Sequence, residues 1–160
     1  MTIDGHIAQI TTPTERETRV ERIFDAPRTD VWRALTDPAL LVRWWGPHGT
    51  TTRIDRWEAV AGTDWRVVVT SGGVKQGFRG SFREVVAPER LVRSFEWEGM
   101  PGHVAVETMT LEELGPRTRL VVVGLFHTTA ERDGMLNSGM ERGTNDSYER
   151  LDEVLSSLAA

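Results

Sequence analysis

Residues that could carry chemistry are sparse in this chain of 160 residues, and they form no recognisable catalytic motif. Cysteine is missing, which excludes disulfides, thiolate metal sites and cysteine nucleophiles. The histidines His6, His48, His103 and His127 are scattered without the spacing of a metal site. Zinc-helix, phosphate-loop, dinucleotide and serine-elbow signatures are missing from the sequence as well. We therefore expect no metal and no other cofactor, and histidines that are solvated or hydrogen-bonded rather than catalytic.

A pair of opposite charges on two predicted strands is the first candidate for a functional site. A turn about Met100 separates strands near 90–98 and 103–113, so the two strands should pair antiparallel. In that register Arg93 faces Glu107, on strand faces that otherwise carry mostly apolar side chains. Each partner would satisfy the other if the pair were buried. Such a pair could orient a ligand's polar end or polarise a carbonyl. A structural ion pair at a sheet edge is the alternative.

Aromatic and apolar residues share one face of several predicted strands. Successive side chains of a strand point to opposite sides, so these residues should line one surface of a sheet. As a set they match a pocket that is mostly apolar with a few polar groups, although for any one of them ordinary core packing is the alternative. The candidates are Trp65, Phe78, Phe82, Phe95, Trp97, Met109, Gly124 and Phe126.

The C-terminal segment supplies the other candidate wall. Thr128 begins a capping-box pattern, and the apolar residues that follow advance by three or four positions, which predicts one helical stripe. Met140, Thr144 and Tyr148 lie on this stripe and are candidates to contact a ligand. Tyr148 is the only tyrosine of the chain, and it would either donate a hydrogen bond into the cavity or simply pack.

The elements that must position these residues predict an α+β protein. Residues 1–17 should form a loose N-terminal arm or a short extra strand, and residues 18–160 a single domain. A first strand is followed by two short helices, begun by Pro27 and by Asp37–Pro38. Period-two alternation interrupted by turn residues then predicts six strands, near 51–59, 63–70, 76–86, 90–98, 103–113 and 117–127.

Two adjacent tryptophans end the second short helix, directly before Gly46–Pro47. Neighbouring helical positions diverge by about 100°, so the two indoles should face different surroundings. We expect Trp45 to pack into the core beneath the short helices and Trp44 to form part of a cavity entrance. Two plain core anchors are the alternative.

Composition restricts the partners. A net charge of -5 argues against a nucleic-acid partner, because nucleic-acid binders usually show a basic footprint. The chain lacks the run of about 20 apolar residues needed for membrane insertion. It also lacks the basic start and apolar run of a signal peptide, so a cytoplasmic location is expected. We expect a monomer or a homodimer.

Four segments carry a family resemblance: DAPRTDVWRALTDPALLVRWWGP, VVAPERLV, TRLVVV and GMERGTNDSYERLDEVL. In content and order they resemble the SRPBCC (START and birch-pollen-allergen-like) superfamily, over residues 19–158. Within it they are similar to the branch named after the activator of the heat-shock-protein-90 ATPase. The resemblance implies a helix-grip fold, in which a curved seven-stranded antiparallel sheet surrounds a long C-terminal helix and a cavity for apolar or amphipathic ligands. Relatives include lipid carriers, polyketide cyclases and aromatases, so the fold does not define the function.

The sequence departs from the family pattern at three places. The segment RWEAVAGTDW keeps only Gly62 of the Arg-Pro-Gly-Gly turn that relatives often carry. Thr144 stands where relatives usually have tryptophan, and Gly124 where a bulky apolar residue is common. The smaller side chains predict more room between the sheet and the helix.

The function indicated is binding of a hydrophobic or amphipathic small molecule in a central cavity, without chemistry. One alternative is an enzyme of cyclase, aromatase or hydrolase type, which needs an acid or a base beside its substrate. Arg93, Glu107, His127 and Tyr148 are its candidate groups. The other alternative, suggested by the branch name, is a chaperone-associated or stress-response interaction protein.

Overall fold

A computed structural model describes residues 5–159 of the chain. Within this range eight strands form one antiparallel sheet with the order β1-β2-β8-β7-β6-β5-β4-β3. The strands are β1 (Gln9–Thr11), β2 (Glu17–Phe24), β3 (Thr51–Arg56), β4 (Asp64–Ser71), β5 (Val74–Val86), β6 (Arg90–Trp97), β7 (Val104–Leu114) and β8 (Arg117–Leu125). The helices are α1 (Arg28–Thr36), α2 (Pro38–Leu41), α3 (Thr129–Leu136) and α4 (Met140–Ala159).

Short turns between consecutive strands produce this sheet, as the alternation predicts. The six strands expected after the short helices are present, each within three residues of its predicted ends. The register of the β6–β7 hairpin is also as predicted, since Arg93 pairs with Glu107 across the two strands. The sheet has eight strands instead of seven because β1 pairs antiparallel with β2, where Ile10 faces Val20.

The sheet curves around α4, which is the helix-grip arrangement. Register shifts interrupt the β5–β6 ladder between Phe82 and Glu84 and the β3–β4 ladder between Ile54 and Arg56. Such bulges bend and twist a strand locally, which helps the sheet to close on a helix.

The short helices cover one end of the grip. Asp37 caps α2, because its side chain accepts a hydrogen bond from the backbone of Ala39 at 3.0 Å. Val31, Ala34 and Leu41 of these helices are fully or almost fully buried. Their burial anchors the segment that leads from α2 into the sheet.

The C-terminal segment forms two helices where the sequence pattern predicts one. Thr128 caps α3 as expected, since its Oγ1 accepts a hydrogen bond from the backbone of Glu131 at 3.1 Å. The helical path is then interrupted before Met140 by Gly139, whose φ of 85° lies in the left-handed region that favours glycine. No helix among residues 5–159 has the length and apolar character to cross a membrane.

The two halves of α4 have different surroundings. Leu151, Val154 and Leu155 in its second half are almost completely buried in the core. Most residues of its first half, before Tyr148, are only partly buried. The second half therefore packs against the sheet, and the first half leaves space beneath it.

Candidate functional site

A cavity of about 540 Å³ lies between the sheet, the segment after α2 and the first half of α4. This volume falls within the range typical of small-molecule sites. Exposed residues stand in its wall on both sides of one end, Pro47 and His48 on one side and Ser138 and Gly139 on the other. The cavity therefore opens to solvent between the α2–β3 segment and the α3–α4 junction.

Most of the residues predicted to contact a ligand lie in the cavity wall. Those that line it are Trp44, Trp45, Phe78, Arg93, Phe95, Glu107, Met109, Met140, Thr144 and Tyr148. They come from the sheet, the α2–β3 segment and α4, so every layer of the fold contributes. The predicted residues that do not line the cavity are Trp65, Phe82, Trp97, Gly124 and Phe126.

Three of the non-lining residues lie behind the wall or outside it. The Trp65 ring is completely buried, with its centroid 5.5 Å from that of Trp45, so it supports a ring that does line the cavity. Phe82 packs edge-on against Trp57, with the two ring centroids 5.0 Å apart. Trp97 is 37% exposed near the end of its strand, where its indole N–H donates to Gln76 Oε1 at 2.7 Å.

The prediction that Gly124 enlarges the cavity is wrong. A Cβ atom at this position would lie 3.0 Å from Thr18 Oγ1 and 3.3 Å from the Phe126 ring. The neighbouring side chains already fill the space that the missing side chain leaves. Thr144, in contrast, lines the cavity, and a larger side chain there would enter it.

The indole that packs beneath the short helices is that of Trp44 and not, as predicted, that of Trp45. Trp44 packs beneath the short helices with 8% exposure, and its indole N–H donates to the Ala34 carbonyl at 2.8 Å. Trp45 crosses to the sheet, with its ring centroid 6.3 Å from that of Phe78 and 6.1 Å from that of Trp57. Both indoles nevertheless form part of the cavity wall.

Arg93 is held among aromatic rings on the cavity side of the sheet. Its guanidinium carbon lies 5.1, 5.9 and 4.9 Å from the ring centroids of Trp45, Trp57 and Trp65, within cation–π range. Its Nε donates to Glu107 Oε1 at 3.0 Å. The rings and the carboxylate together fix the orientation of the cation. Sequence reasoning did not single out Trp57, although it falls within the strand predicted near 51–59. In the structure β3 ends at Arg56, and Trp57 lies directly after it.

Tyr148 places a hydroxyl in the same wall. Burial, and then the negative charge of Glu107, raise the pKa of this hydroxyl well above its ordinary value, while Arg93 and Arg22 act in the opposite direction. Tyr148 therefore stays protonated at neutral pH and presents a hydrogen-bond donor. Together with Arg93 and Glu107, which also line the cavity, it adds to the polar part of the wall.

His127, the remaining candidate for an acid or a base, does not line the cavity. It is exposed, and its backbone N–H donates to Glu131 Oε2 at 3.1 Å. His103 contacts the same carboxylate through its ring, which lowers the pKa of Glu131. These contacts lie at the first turn of α3, and none of the three residues lines the cavity.

Polar contacts join the cavity mouth to α4. His48 Nε2 lies 2.8 Å from Glu149 Oε2, and the His48 backbone N–H donates to Asp146 Oδ2 at 3.3 Å. Arg150 Nη1 donates to the Gly46 carbonyl at 2.9 Å. The ligating atoms of His48, Asp146 and Glu149 lie within 4.8 Å of one another. The sequence carries no signal for this group because about a hundred residues separate its two sides.

The curved sheet around α4, with a cavity between them, defines a helix-grip protein. The family model described as Activator of Hsp90 ATPase homolog 1-like protein matches residues 25–156, and the chain belongs to this family. The family resemblance drawn from the sequence motifs is thereby confirmed. Among curated proteins, none matches this chain.

Solved structures show the same fold over nearly the whole chain. A protein from Rhodobacter sphaeroides is 27% identical, with a TM-score of 0.88 over 94% of this chain and 99% of its own. One from Arthrobacter aurescens is 28% identical, with a TM-score of 0.85 over 93% of this chain and 91% of its own. The AHSA1 protein of Silicibacter pomeroyi is 23% identical, with a TM-score of 0.72 over 89% of this chain and 97% of its own.

Proposed function

We propose that this protein binds a hydrophobic or amphipathic small molecule in its central cavity and releases it unchanged. The observation that carries the proposal is an open cavity of about 540 Å³, walled mainly by aromatic and aliphatic side chains with a few polar groups. Small-molecule sites have this size and this composition. The ten predicted residues that line the cavity would contact the ligand.

Binding without chemistry is favoured by the nature of the polar groups. General acid–base catalysis works best with a group whose pKa lies near the operating pH. Burial raises the pKa of Tyr148 away from neutrality, and an arginine keeps its proton. Glu107 is already hydrogen-bonded to Arg93. These groups are suited to orienting a ligand.

A blocked cavity tests the proposal directly. Thr144→Trp places an indole in the space beneath α4, while Ser156→Trp adds the same side chain at an exposed position of the same helix. Binding is measured with Nile red, an uncharged fluorescent probe. We expect Thr144→Trp to weaken binding at least about tenfold and Ser156→Trp to leave it unchanged. Equal binding by the two variants would contradict a ligand site in this cavity.

Native mass spectrometry of the purified protein distinguishes the alternatives. A retained small molecule that is recovered with unchanged mass after incubation supports a carrier. A molecule that is converted to a product of different mass would instead indicate an enzyme of cyclase or hydrolase type. A separate ATPase assay tests the interaction role. Stimulation of the heat-shock-protein-90 ATPase by the unliganded protein would favour that role.

A further inference from the structure

Two buried side chains present unused hydrogen-bond donors to the cavity. Arg93 and Tyr148 are each only 8% exposed, and both line the wall. The single side-chain hydrogen bond of Arg93 is the one from Nε to Glu107, so its two terminal nitrogens have no hydrogen-bond partner among residues 5–159. The Tyr148 hydroxyl likewise has none among these residues. Polar groups of residues this deeply buried are normally satisfied by protein, water or ligand, and these donors reach the open space of the cavity, so their place in the wall points to a ligand acceptor.

The charge of the wall restricts what that acceptor can be. Apart from Tyr148, the titratable side chains that line the cavity in the described part of the chain are Arg93, Glu107 and His48. His48 stands at the open end beside Glu149, whereas Arg93 and Glu107 form a pair whose charges cancel. A ligand carboxylate near Arg93 would also lie near the Glu107 carboxylate and be repelled by it. A neutral oxygen accepts the same hydrogen bonds without that repulsion.

We propose, on the basis of the proposed function, that the ligand is an uncharged molecule with an apolar body and a carbonyl oxygen. The carbonyl oxygen accepts hydrogen bonds from the Tyr148 hydroxyl and a terminal nitrogen of Arg93. The apolar body lies against the aromatic wall formed by Trp45, Phe78 and Phe95. The Glu107–Arg93 pair makes the site select against carboxylates of the same shape.

Three naphthalenes of closely similar shape test this selectivity. They are 2-acetylnaphthalene, which carries a carbonyl, 2-isopropenylnaphthalene, which lacks any oxygen, and 2-naphthoate, which carries a charge. Their affinities for the full chain are measured by displacement of Nile red. We expect the ketone to bind about fivefold or more tightly than the alkene, the usual worth of one net hydrogen bond. We expect the carboxylate to bind more weakly than the ketone.

Two variants assign the selectivity to these side chains. Tyr148→Phe removes one of the two proposed donors, so it should reduce the ketone's advantage over the alkene, and continued binding of the alkene reports an intact cavity. Glu107→Gln leaves the Arg93 charge uncompensated, and it should raise the affinity for 2-naphthoate relative to the ketone by about tenfold. Should the Glu107 variant fail to fold, the affinity ratios of the three compounds for the wild type and for the Tyr148 variant still test the proposal.

The outcomes separate this proposal from the proposed function. If the alkene binds as tightly as the ketone, or if naphthoate binds as tightly as the ketone to the wild type, the carbonyl proposal is overturned and binding in the cavity stands. A ketone advantage that survives Tyr148→Phe undiminished also overturns it. If none of the three compounds nor Nile red binds, the proposed function itself fails.

Discussion

Ionisation of Tyr148 offers a direct test of the cavity's geometry. Tyr148 is the only tyrosine of the chain, so phenolate absorbance in the near ultraviolet reports this residue alone. Because burial and the Glu107 charge raise its pKa, the native protein should show no phenolate as the pH passes the ordinary value of 10. The same chain unfolded in urea should titrate with a midpoint near that value.

The raised pKa has a calculable effect on stability. A group whose pKa is higher in the folded state stabilises the fold below its unfolded pKa, and this contribution is lost as the pH rises beyond it. At about pH 11 a free tyrosine is roughly 90% ionised, whereas a native Tyr148 keeps its proton. The free energy of unfolding should therefore be lower by about 1.4 kcal/mol at about pH 11 than at about pH 9. Tyr148→Phe has no such group and lacks this increment.

The assay is urea unfolding at the two pH values for the wild type and for Tyr148→Phe. The difference between the two proteins cancels every other group that titrates in this range. Between the two pH values, we expect the free energy of unfolding of the wild type to fall by about 1.4 kcal/mol more than that of the variant. A phenolate band that grows in the native protein with a midpoint near pH 10, or an equal loss of stability by both proteins, would refute a buried Tyr148.

Two further predictions concern the folded scaffold. Arg22 is buried beneath α4 and makes paired hydrogen bonds of 2.7 and 2.6 Å to Asp152, which is 41% exposed, so Asp152→Ala should cost about 2–3 kcal/mol in urea unfolding. Adding Arg22→Met should recover part of that loss, and a double variant less stable than Asp152→Ala would contradict this account. A Cβ at Gly80 would lie 1.9 Å from the Ser94 carbonyl oxygen, so Gly80→Ala should destabilise by about 2 kcal/mol or more. Gly134→Ala, in open space on α3, should be neutral or stabilise by up to about 1 kcal/mol, and similar effects at the two glycines would be inconsistent with the close approach.

The parts of the fold that depend on local patterns are predictable from the sequence. Alternation and turn residues locate the strands, and a hairpin turn about Met100 is enough to place Arg93 opposite Glu107. The cap at Thr128 follows from the same kind of local signal. These features need only interactions between residues close along the chain or joined by one turn.

The features that sequence reasoning missed depend on direction and on distant contacts. The turns after α2 set the orientations of Trp44 and Trp45, and thereby which of the two indoles faces the sheet. The break at Gly139 was masked because apolar residues keep helical spacing on both sides of it. The space beside Gly124 is filled by Phe126 on its own strand face, a contact that residue size at one position does not reveal.

The cavity follows from a change in side-chain size along a single helix. The cavity-facing residues of the first half of α4 include Gly143, Thr144 and Ser147, whereas Leu151 and Leu155 fill the core one and two turns beyond Tyr148. Small residues cannot fill the distance between helix and sheet, so a void remains there. Because glycine weakens a helix, the first half depends on contacts such as the one from the Gly46 N–H to Ser147 Oγ at 3.2 Å. Under the proposed function, ligand binding would depend on the first half of α4 and stability on the second, so substitutions in the first half should alter ligand affinity with less effect on folding than those in the second.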